Sequence, residues 1–192
     1  MDSRTDRLLS FLEEIDKYKL IEREIYLKGR PQKENDAEHT WHMAMFLMLF
    51  EKDLPKDLDF LKVMKMALIH DLPEIYAGDT YAFDYEGRKT KKDREAKAAK
   101  RLYSQLPQDL SEEFTALFDE MEENKTHEAK IVKAFDHMHA VFQNSIEGGK
   151  ILREKNVTKE QVDEYRKRDS HEYPIVNEIY SKLLEEIKKI IN

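Results

Sequence analysis

The sequence predicts an all-α protein, and three observations predict it. Glycine and proline, the residues that punctuate a chain, number only five each in 192 residues. Between them apolar residues return at spacings of three and four, the period of a helix face. Charged residues make up 38% with both signs interspersed, as on the solvated side of amphipathic helices. The expected architecture is a bundle of about eight to ten helices.

Leu8, Leu9, Phe11, Leu12 and Ile15 give a first helix, which a loop at Lys28-Gly29-Arg30-Pro31 ends. Asp36 is placed to cap a second helix that runs to about Phe50. Asp57 to Asp71 reads as a third, so apolar through Leu58, Leu61, Val63, Met64, Met66, Ala67 and Leu68 that it belongs at the centre. Pro73 allows a new helix to start. Gly78 to Gly87 reads as a loop carrying aromatics, Lys89 to Leu106 as a charged helix followed by Pro107, and Leu110 to Glu123 as another. Thr126 to Ile146 is long, apolar on one side and broken by Gly148-Gly149, and helices at Thr158 to Arg168 and Tyr173 to Ile191 complete the set. Strands have little room in this pattern. With no internal repeat and no linker, 1–192 reads as a single domain, with a motif core at about 36–147 and the helices of 158–191 packed on it.

The net charge of −7 argues against nucleic-acid polymers and anionic membranes as partners. The absence of cysteine excludes disulfides, thiolate catalysis and Cys-based zinc sites, so a bound metal must sit on histidines and carboxylates, and a cytoplasmic location is expected. The first residues lack the apolar core of a signal peptide, and the longest apolar stretch, near Met43 to Phe50, is too short to span a bilayer.

The chemistry concentrates in Leu68-Ile69-His70-Asp71-Leu72-Pro73-Glu74, where a polar pair follows an apolar helical run. Burying an imidazole and a carboxylate there is costly unless something pairs with them. A divalent cation does so, accepting a ring nitrogen and a carboxylate oxygen while compensating the buried charge. A plain His–Asp hydrogen bond at a helix end is the alternative that the dipeptide alone leaves open. The context favours the cation. His39 lies in Ala37-Glu38-His39-Thr40-Trp41-His42, at the first turn of an apolar helix, and Asp136 in Lys133-Ala134-Phe135-Asp136-His137-Met138-His139, within the long helix. Three helices therefore each bring a ligand-type residue to apolar surroundings.

In this H…HD…D arrangement of His39, His70-Asp71 and Asp136 the chain resembles the HD-domain phosphohydrolases. More narrowly, Lys19-Leu20-Ile21-Glu22-Arg23, the Ala37-Glu38-His39 step and the run His70-Asp71-Leu72-Pro73-Glu74-Ile75-Tyr76-Ala77-Gly78-Asp79 are similar to the bacterial 5′-deoxynucleotidase branch and its eukaryotic relatives. The resemblance implies packed helices and one divalent cation on His39, His70, Asp71 and Asp136, with cobalt or manganese first and magnesium, nickel, iron or zinc as alternatives. It also implies homodimers, a small-molecule nucleotide substrate, and hydrolysis of nucleoside 5′-monophosphates to nucleoside and phosphate.

Four such ligands leave positions on a six-coordinate ion for a phosphate oxygen and a water. Glu74 follows His70 by four residues and Asp71 by three, so helical geometry past Pro73 puts it one turn from the ligands, and the resemblance gives it the task of orienting the water or moving a proton. Asp79 matches a family carboxylate near the sugar; binding a ribose hydroxyl and capping the next turn are both open to it. Arg23 matches an arginine that meets the phosphate, while a surface salt bridge to Glu22 or Glu24 is its ordinary alternative. Arg30 competes for the phosphate because the loop from Lys28 to Asn35 reads as an insertion. One departure stands out: the nucleotidase branch commonly has a tryptophan just after that arginine, whereas Glu24-Ile25 stands here, which puts a preference for 2′-deoxy sugars in doubt. His42, His137 and His139 offer an alternative ligand set, although hydrogen-bonded or core roles are commoner for such residues. His127 and His171 read as solvent-facing, and Trp41, Met43, Met45 and Met48 as core. Hydrolysis of another nucleotide or small phosphate ester, and a metal-stabilised binding protein without turnover, are the competing readings.

Overall fold

A computed structural model describes residues 3–166 and 173–191. His171 and the last two residues of the helix expected at Thr158 to Arg168 lie outside them. The first helix, α1 (Arg4–Ile15), starts at a capping box in which Ser3 and Asp6 each bond the other's backbone amide. A 3₁₀ segment over Asp16–Leu20 leads into a two-stranded antiparallel hairpin, β1 (Glu22–Tyr26) and β2 (Lys33–Asn35). Glu22 pairs with Asn35 and Tyr26 with Lys33, with an irregularity between them. The turn joining the strands holds Gly29 and Arg30.

The chain passes from β2 straight into α2 (Asp36–Phe50). Its cap is Asn35, whose side chain accepts from the Glu38 amide at 3.0 Å, and not Asp36, which is the first helical residue and fully buried. Asp59 caps α3 (Phe60–Ile69). A tight turn and Pro73 then open the single-turn α4 (Glu74–Ala77). Helices α5 (Tyr85–Tyr103), α6 (Gln108–Glu123), α7 (His127–Glu147), α8 (Lys150–Glu154), α9 (Lys159–Arg166) and α10 (Pro174–Ile190) follow.

The axis of the core is α7, which packs against α2, α3, α6, α10 and β1. Ile131, Phe135 and Met138 of α7 meet Val63, Met66 and Leu47 with essentially no surface left exposed. Each such side chain contributes about 1.5–3 kcal/mol of burial. Among the described residues no helix is long and apolar enough to cross a membrane.

The helical expectation holds, with differences that have physical reasons. The hairpin was not expected. Glu22, Arg23 and Glu24 carry charge on both faces of β1, and Ile25 is its one buried apolar residue, so no alternation announces a strand. Helix α3 is shorter than expected and buries one face, leaving Leu61 and Leu68 largely exposed. Trp41 and Met48, read as core, lie 65% and 54% exposed on the outer stripe of α2, while Met43 is buried. Helix α5 begins at Tyr85 because Asp84 caps it through the Gly87 amide at 2.9 Å; a Cβ at Gly87 would collide with that carboxylate. The short α8 sits where the sequence suggested only a break.

Candidate metal centre

The site is assembled where the hairpin, the start of α2, the end of α3 and the middle of α7 meet. Arg23 comes from β1, Asp36 and His39 from the first turn of α2, His70 and Asp71 from the turn after α3, and Asp136 from α7. His39 Nε2 lies 3.2 Å from Asp136 Oδ1, 3.3 Å from His70 Nε2 and 3.9 Å from Asp71 Oδ2. His70 Nε2 lies 3.0 Å from Asp71 Oδ2 and 3.9 Å from Asp136 Oδ1. Donors at right angles around an ion about 2.1 Å away stand about 3 Å apart, and opposite ones about 4.2 Å. The four residues offer one donor atom each within 4.8 Å of all the others, a set that fits one cation of that size.

The two rings are aimed by their far nitrogens. His70 Nδ1 bonds the Ala67 carbonyl at 2.8 Å, so its Nε2 faces the cluster. His39 Nδ1 lies 2.8 Å from His139 Nδ1.

Charge makes the same point as geometry. Burial opposes ionisation throughout, and Arg23 is drawn toward Asp71 Oδ2 at 2.9 Å and Asp36 Oδ1 at 3.2 Å. Burial and the neighbouring Asp71 push Asp36 up to about 7, and burial pushes Glu34 up to about 7. Burial would lower His70, but Asp71 and Asp136 outweigh it and raise the ring to about 9, so at neutral pH a proton stands between the carboxylates. Burial and Arg23 hold His39 down to about 4. Asp36 Oδ2, Glu74 Oε2 and Glu34 Oε2 are buried with no hydrogen-bond partner. Carboxylates in excess of cations, with buried oxygens unpaired, are what a divalent ion relieves.

Above the cluster opens a cleft of about 820 Å³, its solvent-filled mouth included. Its walls carry the charged Arg23, Asp71, Glu74, Asp79, Lys91 and Asp136 together with Tyr81, Phe83, Val141, Leu152, Val162 and Ile187. Glu74 opens α4, is 1% exposed, and accepts from Lys91 Nζ at 3.0 Å. Burial, then the nearby Asp71, raises its carboxyl well above the usual range. Asp79 follows Gly78, whose φ of 73° leaves α4 in a conformation that glycine tolerates. Arg94 ties that loop down by donating to the Ala77 carbonyl and to Thr80 Oγ1.

Sequence reasoning named Arg23, His39, His70, Asp71, Glu74, Asp79 and Asp136, and the structure brings them together. Arg30 is a correction: it lies in the turn between the two strands, where it is exposed to solvent, and it does not line the cleft. Arg23 is in turn no surface ion pair with Glu22 or Glu24. His42 does not join the donor set, His137 lines the cleft, and His139 meets the far side of His39. Lys91 and Glu95, 2.9 Å apart, were missed; on a charged helix an i, i+4 Lys–Glu pair reads as ordinary solvated surface. Glu34 was missed too, since nothing in Lys33-Glu34-Asn35 signals that its carboxylate is buried.

Comparison with known proteins follows the same lines. A family profile described as "HD domain" matches residues 15–177. The 5′-deoxynucleotidase HDDC2 of Bos taurus is 34% identical over 140 residues, 72% of this chain and 66% of that protein. The 5′-deoxynucleotidase hdd1 of Schizosaccharomyces pombe is 30% identical over 142 residues, 71% of this chain and 70% of that one. The chain thus spans about two thirds of the length of the curated relatives it matches. A crystal structure of a "predicted metal-dependent phosphohydrolase" from Magnetospirillum magnetotacticum superimposes with a TM-score of 0.89 at 33% identity, covering 99% of each chain. An HD-domain phosphohydrolase from Listeria innocua, 22% identical with a TM-score of 0.64 over 95% of this chain and 93% of that one, shares the fold.

Proposed function

The chain belongs to the HD domain family, and on that premise we propose that it is a metal-dependent phosphohydrolase that cleaves nucleoside 5′-monophosphates to nucleoside and phosphate. The observation that carries the reading is the convergence of His39, His70, Asp71 and Asp136 beside a cleft that Asp71 and Asp136 line together with Arg23, Lys91 and Glu74. The names of the relatives supply the substrate class.

One divalent cation, manganese or cobalt in the first place, would be held by those four residues and supply Lewis acidity toward the phosphoryl group. The remaining work falls to the chain. Arg23, fixed by Asp71 and Asp36, presents a planar fork of donors to phosphate oxygens, and Lys91 adds a second positive charge to the lining of the cleft. Glu74, whose raised pKa suits a group that carries a proton, moves the proton that passes between attacking water and leaving sugar oxygen. Asp79 accepts from a sugar hydroxyl. The aromatic lining residues Tyr81 and Phe83 receive the base and keep water out. Glu24, bonded by Lys33 at 2.8 Å, lines the cleft, and we expect only weak selection for the 2′-deoxy sugar there. A homodimer would cover the exposed apolar stripe of Trp41, Met48 and Leu49 on α2.

The test is phosphate release from paired ribo- and deoxynucleotides after chelation and resupply of Mn²⁺, Co²⁺ or Mg²⁺. Metal-restored activity confined to monophosphates is the expected result. Activity only on di- or triphosphates would move the substrate, and no turnover with any metal would leave a binding protein.

A further inference from the structure

His39 has two nitrogens and both are engaged. Its Nε2 faces Asp136, His70 and Asp71. Its Nδ1 meets His139 Nδ1 at 2.8 Å, and His139 Nε2 meets His42 Nδ1 at 3.0 Å. The first two rings are fully buried, and the third, packed between α2 and α7 against His139 and Phe142, is partly exposed. A neutral imidazole carries one proton, so the three rings must be ordered together, each donating to the next in the same direction.

We propose that His139 and His42 are positioning residues for the metal centre: a chain of ring-to-ring hydrogen bonds, from His39 to His139 to His42, holds the His39 proton on Nδ1 and leaves its Nε2 lone pair bare for the cation. The inference rests on the metal reading above. With His39 as a ligand through Nε2, Nδ1–H donates to His139 Nδ1, which fixes the His139 proton on Nε2. That proton is given to His42 Nδ1, and the His42 proton then sits on Nε2.

In the opposite order His39 Nε2–H donates to Asp136 Oδ1, and His42 and His139 donate inward. Passing from this order to the metal-ready one moves a proton from His139 Nδ1 to His39 Nδ1 and another from His42 Nδ1 to His139 Nε2. His39 Nε2 releases one proton to water and His42 Nε2 takes one up, so the chain keeps its charge. The Glu34 carboxylate, a possible competing acceptor, stands beyond hydrogen-bond reach at 3.9 Å from His39 Nδ1 and 3.7 Å from His139 Nε2.

The experiment is Mn²⁺ titration by calorimetry of the unsubstituted protein, His139→Phe and His139→Asn. Phe removes the acceptor, whereas the Asn carbonyl oxygen replaces Nδ1. Loss of such a partner weakens metal binding by roughly 10- to 100-fold, and that is expected for His139→Phe, with His139→Asn within about threefold of the parent. Equal affinity of parent and His139→Phe overturns the inference and leaves the metal site standing; no Mn²⁺ binding by the parent overturns both. Should His139→Phe not fold, the ring nitrogens of the Zn²⁺-loaded parent decide by long-range ¹H–¹⁵N correlation. A proton on His39 Nδ1 and His139 Nε2 supports the chain, and a proton on His139 Nδ1 refutes it.

Discussion

Replacing Glu74 by glutamine separates catalysis from folding more cleanly than any other change in the cleft. The side chain is 1% exposed, so an isosteric amide keeps the packing. It also keeps an oxygen for Lys91, which now donates at 3.0 Å. What is lost is the charge on that bond, about 1 kcal/mol. What is gained is relief of a carboxyl whose other oxygen has no partner and which stands beside Asp36 and Asp71. The two effects oppose each other, and a residual of about 1 kcal/mol moves Tm by only about 2–4 °C in a chain of this size. Catalysis has no such compensation. An amide neither gives nor accepts the proton, and loss of a general acid–base group lowers kcat by about 10²- to 10⁴-fold, or about 2.7–5.5 kcal/mol of barrier. The assay is phosphate release at saturating Mn²⁺ beside calorimetric Mn²⁺ binding and a melting curve. A kcat within about threefold of the parent would remove Glu74 from the chemistry, and a loss of Mn²⁺ binding would make it a ligand instead.

Other perturbations follow from the same contacts. His70→Ala or Asp136→Ala takes away one of four donors and is expected to abolish Mn²⁺ retention through dialysis, read by elemental analysis; retention at parental stoichiometry would refute the donor set. Arg23→Ala leaves Asp36 and Asp71 buried without their cation and is expected to cost about 3–5 kcal/mol in chemical denaturation as well as activity, whereas Arg30→Ala, in the exposed turn, should change neither. The metal-free protein should lose stability as pH rises. His70, raised from 6.5 to about 9, stabilises fully below pH 6.5 and ceases to do so through pH 9, and Glu34 and Asp36, raised to about 7, act in the same direction at lower pH. His39, lowered to about 4, works the other way only below pH 6.5, so a falling Tm from pH 6.5 to 9 that Mn²⁺ restores is the signature, and a flat profile contradicts it.

The helices were legible because their apolar spacing survives wherever one face is buried; α6, α7 and α10 have the boundaries their patterns suggest to within two residues. The hairpin was not, because its function inverts the usual pattern. Arg23 points inward to bond Asp71, Glu34 buries its carboxylate near Arg23, and strands that bury charge offer no alternation to read. Trp41 misled for the opposite reason, as an apolar residue placed outside. In the site, residues within a short motif could be found, whereas Lys91, Glu95 and Glu34 depend on how distant elements pack.

Why adjacent residues, His70 and Asp71, can serve one point also has a structural answer. In a continuing helix neighbours diverge by about 100° around the axis, which would send Asp71 away from wherever His70 points. Here α3 stops at Ile69: the Leu72 amide donates to the Ile69 carbonyl and the Glu74 amide to the Asp71 carbonyl, each three residues back. The chain leaves the α-helical path there, with Leu72 anchored in the core and Pro73 opening α4, and Asp71 Oδ2 stands 3.0 Å from His70 Nε2. The same turn swings Glu74 under the cleft instead of onto the surface. The apolar run before the dipeptide and the proline after it are therefore as much a part of the site as its donors, since they fix where α3 ends and α4 begins.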